Sequence, residues 1–210
     1  MPGLTLAPGL VVHPGYLDRA AQAALAEALR TVVAHAPPFT PTMPRTGKAF
    51  SVRMTNCGPL GWVSDRAGYR YQPRHPETGE PWPAMPEAVL AAWYALSACS
   101  APPEACLVNL YEPGARMGLH QDRDEETFEA PVVSLSLGAG ALFRYGGAER
   151  GAPTRSLRLH AGDALVMGGP SRLAFHGVDR ILKGADQLGV GDLGAGGRIN
   201  LTLRRVTPLA

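Results

Sequence analysis

From Cys106 onward the chain breaks into short apolar runs, CLVNLY, PVVSLSLG, ALFRY, DALVMGG, LAFHGV and RINLTLRRV, each bounded by turn residues. Runs this short fit strands better than helices, and a regular series of them predicts a barrel or jelly roll. The 20 Pro and 25 Gly are spread along the 210 residues without a repeat, and they supply the many turns such a fold needs. With 45% hydrophobic residues the chain can bury one substantial core, so a single domain over 1–210 is expected.

Two helices precede the strands. The Ala-rich stretch from Asp18 to about His35 carries Leu25, Leu29, Val32 and Val33 at helical spacing, with Asp18 as N-cap and Pro37-Pro38 as the stop. A second helix is expected from Pro86 to about Ala98, with Val89, Leu90, Trp93 and Leu96 on its apolar side. Both read as packing against a sheet, which makes the class mainly β, α+β in detail.

A net charge of +2 rules out a polycation that coats nucleic acid by bulk electrostatics, so any polyanion site must be local. One candidate is the stretch 45–74. It has six cations (Arg45, Lys48, Arg53, Arg66, Arg70, Arg74) against one acid, Asp65, and it interleaves Trp62, Tyr69 and Tyr71. Aromatic planes mixed with cations suit single-stranded or flipped-out bases, although a solvated basic hairpin has the same composition. Cys57, Cys99 and Cys106 form no CxxC pair, which fits a reducing cytosol. No Lys or Arg precedes Arg19, and the N-terminal apolar runs are short, so a cytoplasmic chain with no membrane contact is expected, a monomer by default.

His120 and Asp122, in LHQD, sit at i and i+2, so an extended backbone projects both from one face. The pair by itself also fits a surface turn. His176 lies 54 residues beyond Asp122, where it interrupts the apolar run LAFHGV, and a buried, hydrogen-bonded histidine would read the same way. Taken together, two histidines and a carboxylate compose the facial triad that binds iron and leaves open positions for a bidentate cosubstrate and O₂. Zinc could use the same ligands for hydrolysis.

The C-terminal strand argues for iron. In RINLTLR, polar and apolar residues alternate strictly, so Arg198, Asn200, Thr202 and Arg204 share one face. The two arginines stand about 20 Å apart along the backbone and can clamp a small dicarboxylate only by leaning inward. A dicarboxylic 2-oxoacid, its keto end chelating the metal, is the natural ligand for such a face.

H-x-D, a later H and R-x-N-x-T-x-R resemble the AlkB family. The likeness extends in order through MTNCGPLGW, GYRY, PWPAMP, CLVNLY-x-PGA, LHQDRDE, APVVSLSLG and HGV, and covers roughly residues 45 to 205. The resemblance implies a double-stranded β-helix (jelly roll) with N-terminal helices packed on it, a nucleotide-recognition lid over about 45–85 and a catalytic core over about 105–206. It implies that His120, Asp122 and His176 bind Fe(II), and that Asn109, Leu110, Tyr111, Arg198 and Arg204 contact 2-oxoglutarate with help from Asn200 and Thr202. Trp62, Tyr69, Arg70, Tyr71, Asp124 and Arg150 would contact substrate, with the flipped base between Trp62 and His120. The activity implied is oxidative demethylation of 1-methyladenine and 3-methylcytosine in single- or double-stranded DNA, with RNA as a second polymer. Formaldehyde, succinate and CO₂ are the products.

Asp124 is the expected partner for the positive charge of such a base, and the basic run ERGAPTRSLRLH predicts Arg150, Arg155 and Arg158 beside the strand. The Gly-rich segment 184–197 is longer than the family's usual connection and reads as a surface loop. Two alternatives stand beside this reading. One is a 2-oxoglutarate-dependent hydroxylase of a protein or small molecule, the other a catalytically silent jelly roll that binds nucleic acid.

Overall fold

The computed structural model describes residues 3–182 and 197–209. Its elements, in order, are β1 (Leu4–Ala7), β2 (Leu10–His13), α1 (Arg19–His35), β3 (Arg53–Cys57), β4 (Gly61–Asp65), β5 (Gly68–Gln72) and α2 (Glu87–Leu96). Then follow β6 (Ala105–Tyr111), β7 (Met117–His120), β8 (Val132–Gly138), β9 (Ala141–Tyr145), β10 (Arg155–Leu159), β11 (Ala164–Met167), β12 (His176–Ile181) and β13 (Arg198–Arg204).

The strands form a seven-stranded sheet, ordered β1-β2-β11-β8-β13-β6-β3, and a four-stranded sheet, ordered β10-β9-β12-β7. The hairpin β4-β5 stands as a sheet of its own. Two sheets enclosing a core, with neighbours far apart in sequence, make the expected jelly roll. The Gly-rich segment read as a surface loop lies outside the described residues, apart from Gly197.

Both helices lie where their apolar stripes predict. Asp18 caps α1 by accepting from the Ala21 N–H at 2.8 Å, and Pro37 follows the C-cap, Ala36. Leu25, Leu29 and Val32 of α1 and Val89 and Trp93 of α2 form one core with Val108, Leu135, Ile199, Leu201 and Leu203 of the large sheet. Each such side chain contributes about 1.5–3 kcal/mol through burial. The helices therefore cover one face of the large sheet and leave the other to the small sheet. None of the described helices is long and apolar enough to cross a membrane.

That sandwich explains the site. On β13 the apolar residues face the helices, so Arg198, Asn200, Thr202 and Arg204 must face the space between the sheets. β13 is interior, paired with β6 and β8, which excludes an exposed edge for its polar face. Its register sets Asn200 opposite Asn109 and Arg198 opposite Tyr111.

Two features expected at the lid have partners of their own in the fold. Arg53–Cys57, inside the segment read as lid, is the edge strand of the large sheet, and only the hairpin of β4 and β5 separates from it. Arg70, expected among substrate contacts, makes a two-pronged ion pair with Asp65 across that hairpin, at 2.9 and 2.8 Å, and does not line the cavity. Asp65 faces Gly68 in the hairpin register and Arg70 faces Val63, so the pair is diagonal, within reach of a long guanidinium side chain.

Candidate active site

His120 ends β7, His176 opens β12, and the two are directly paired across the small sheet. Asp122 lies two residues beyond His120. Ligand atoms of the three side chains all fall within 4.8 Å of one another. His120 Nε2 is 3.5 Å from Asp122 Oδ1, and His176 Nε2 is 3.9 Å from Asp122 Oδ2.

Each imidazole is held by a main-chain carbonyl two residues back, Nδ1 of His120 by Gly118 O and Nδ1 of His176 by Ala174 O, both at 2.9 Å. A carbonyl only accepts, so each Nδ1 carries the proton and each Nε2 presents its lone pair to the cluster. Burial, and then the neighbouring His120, lower the His176 pKa to about 4, which keeps that ring neutral and able to ligate near pH 7. Burial works against ionisation of Asp122, but Arg204 and the two histidines outweigh it and hold the carboxyl well below its ordinary range.

Arg204 donates to Asp122 Oδ2 through Nη2 at 2.7 Å and Nε at 3.1 Å. Only its Nη1 is left without an acceptor among the described residues. Arg198, expected on the same face, is fully buried. Its Nη2 donates to Ser136 Oγ at 2.9 Å and its Nη1 to Ala139 O at 3.3 Å, while Nε has no acceptor among the described residues. Asn109 Oδ1 also has no partner among the described residues. Orphaned buried N–H groups on two cations are costly unless an anion answers them, and a dicarboxylate does so. The residues present therefore fit both a divalent metal and its 2-oxoacid.

Asn200 and Thr202 line the cavity as expected, yet their polar atoms are engaged. Asn200 Nδ2 donates to Ser134 Oγ at 2.7 Å, and Thr202 Oγ1 donates to Asn200 Oδ1 at 3.1 Å. Leu110, expected as a cosubstrate contact, does not bring its side chain to the cavity. Strand alternation turns Asn109 and Tyr111 to the cavity and Leu110 into the core beneath the helices.

Triad, arginines and hairpin open into one cavity of about 530 Å³. Trp62 and Tyr69 stack at 5.7 Å with planes 18° apart at its mouth. The Trp62 indole donates to Asp124 Oδ2 at 2.8 Å, so two of the expected substrate contacts already touch. Tyr71 lines the cavity, but its hydroxyl is committed to Glu125 Oε1 at 2.6 Å. Arg150 lies over the Phe175 ring at 5.2 Å, on the cavity wall.

Four residues that hold this arrangement escaped the sequence reading. Buried Asn56 clamps the Trp62 main chain with both ends of its amide, at 3.0 and 3.1 Å. Gln121, between two ligands, donates to Leu173 O at 2.6 Å and Ala148 O at 3.0 Å. Arg172 donates to Asp122 O at 2.8 Å and Ala130 O at 3.0 Å, which fixes the loop before His176 against the loop carrying Asp122. Glu125 hides in the acidic run DRDEE, where only the need of a buried Arg204 for a second carboxylate could have pointed to it.

Comparison with known proteins agrees with the geometry. Residues 9–204 match the 2OG-Fe(II) oxygenase superfamily. The chain is 57% identical over 202 residues to the alpha-ketoglutarate-dependent dioxygenase AlkB homolog of Caulobacter vibrioides, covering 96% of this chain and 90% of that one. A tRNA demethylase, abh1 of Schizosaccharomyces pombe, is 37% identical over 112 residues, covering 50% of this chain and 37% of the relative. The solved structure of OsALKBH1 superposes with a TM-score of 0.79 at 31% identity, covering 97% of this chain and 100% of that one.

Proposed function

The chain belongs to the 2OG-Fe(II) oxygenase superfamily, as an AlkB-type α-ketoglutarate-dependent dioxygenase, and from this premise we propose that it oxidatively demethylates alkylated nucleobases in DNA or RNA. One observation carries the reading. The His–Asp–His cluster, with Asp122 and His176 buried, and two buried guanidiniums with N–H groups unanswered among the described residues open into the same cavity as the Trp62–Tyr69 stack.

Fe(II), with 2-oxoglutarate and O₂, supplies the oxidation that turns an N-methyl into an N-hydroxymethyl group, with succinate and CO₂ as coproducts. Everything else falls to the chain. His120, Asp122 and His176 would hold the metal, and Arg204, bound to Oδ2, leaves Oδ1 of Asp122 free. Arg198 Nε and Arg204 Nη1 answer the carboxylates of the cosubstrate, beside Asn109 and Tyr111. Burial pushes the Tyr111 hydroxyl up to about 12, so it stays a neutral donor there.

On the nucleic-acid side, the hairpin of β4 and β5 acts as the recognition lid. Trp62 and Tyr69 provide stacking planes for an extruded base, and Asp124 meets the positive charge that methylation at N1 of adenine or N3 of cytosine creates. Arg150 serves a phosphate at the rim. The hydroxymethyl group leaves as formaldehyde without a protein nucleophile. The free thiols of Cys57, Cys99 and Cys106 fit the expected cytoplasmic setting.

Methylated oligonucleotides test the substrate. We expect release from cationic 1-methyladenine or 3-methylcytosine to exceed that from neutral 1-methylguanine, and Asp124→Asn to cut this preference about tenfold, as loss of a charge-assisted bond requires. An unchanged preference removes Asp124 from this role. Consumption of 2-oxoglutarate with no formaldehyde from any of them would shift the reading to hydroxylation of a protein or small molecule.

A further inference from the structure

Trp62 and Tyr71 are direct partners across the β4–β5 hairpin, and their side chains end on consecutive acids. The Trp62 indole reaches Asp124, which is exposed at the cavity mouth and open to exchange with a ligand. The Tyr71 hydroxyl reaches Glu125, whose side chain is 1% exposed. The hairpin is thus latched twice to the segment that follows the metal-ligand pair, once in solvent and once in the interior.

The buried latch does more than tether. Arg204 Nε lies 3.2 Å from Glu125 Oε1 and Arg172 Nη2 lies 3.3 Å from Oε2. The same Arg204 grips Asp122, and the same Arg172 holds the main chain of Asp122. Asp122, Glu125, Arg172 and Arg204 form a buried cluster of two negative and two positive groups. Without Glu125 the cluster is cationic, and the charge of Arg204 falls wholly on the carboxylate that a divalent cation needs.

We infer that Glu125 is a positioning residue, which answers the charge of Arg204 so that Asp122 keeps its own for the metal, and which anchors the recognition hairpin through Tyr71. The inference rests on the metal-site reading above and is independent of which base is repaired. It also gives Tyr71, expected as a substrate contact, the part of a structural latch.

The test is Mn(II) binding to the metal-free full chain, read by electron paramagnetic resonance of the free ion without 2-oxoglutarate or nucleic acid. Glu125→Gln keeps the size of the side chain and an acceptor for Tyr71 but removes the charge, and we expect affinity to fall about tenfold or more. Tyr71→Phe keeps the charge, so Mn(II) affinity should stay within about twofold, while amide exchange across 61–72 speeds up about tenfold because a buried hydrogen bond to a carboxylate is gone. Unchanged Mn(II) affinity in Glu125→Gln, unchanged exchange in Tyr71→Phe, or no Mn(II) binding by the unaltered chain overturns the inference. If Glu125→Gln fails to fold, the exchange measurement on Tyr71→Phe decides alone. A chain that passes these tests yet releases no formaldehyde sinks the substrate reading and leaves this one standing.

Discussion

Arg198 illustrates how much of this site rests on single side chains. Burial lowers its pKa to about 10, which still leaves it charged near neutral pH, and its Nε points at no acceptor among the described residues. A lysine keeps the charge but loses the fork, so Arg198→Lys should weaken 2-oxoglutarate binding to the Mn(II)-loaded protein by about tenfold or more. Calorimetry that finds equal affinity would move the cosubstrate elsewhere. Arg198 was legible because a strand with strict alternation tells its faces apart. The same rule, applied to Asn109-Leu110-Tyr111, turns the Leu110 side chain into the core. Glu125, Gln121 and Arg172 were not legible, since they act from irregular loops whose side-chain directions have no period.

At the level of elements, the metal site depends on how closely β12 runs beside β7. Gly177, the residue after His176, permits that approach, because a Cβ there would fall 2.5 Å from Met117 O and 2.9 Å from Gly118 O. Gly177→Ala should destabilise the fold by about 1–3 kcal/mol and weaken Mn(II) binding with it, because β12 must move away from His120. A variant that melts and binds metal like the parent would refute this. The helices were legible from capping and spacing. The place of β2 in the large sheet was not, because it pairs with β11, about 150 residues away, and no local pattern announces such a partner. Arg53–Cys57 was absorbed into the lid for a related reason, since charge and aromatic content describe a surface without saying which sheet owns it.

Over the whole molecule, a net charge of +2 leaves nucleic-acid affinity to local patches. Arg144, on the small sheet, is neutralised by its ion pair with Asp179, whereas Arg155 and Arg158 stand exposed on the edge strand β10. If those two meet phosphates, replacing both with alanine should flatten the log–log salt dependence of single-strand binding by about one to two. An unaltered slope would assign the contacts to the hairpin side instead. The fold class was legible because short strands and turns recur across the chain, and the triad because two of its three ligands are histidines in a chain with only six. The charge-balanced scaffold beneath it becomes visible only when distant loops are brought together. The central claim is that His120, Asp122 and His176 hold the metal of a nucleic-acid demethylase. Formaldehyde release from a 1-methyladenine oligonucleotide, with Fe(II), 2-oxoglutarate and ascorbate, compares this chain with His120→Ala most directly. The account predicts release by the parent and none by the variant; equal release from both, or release from neither, contradicts it.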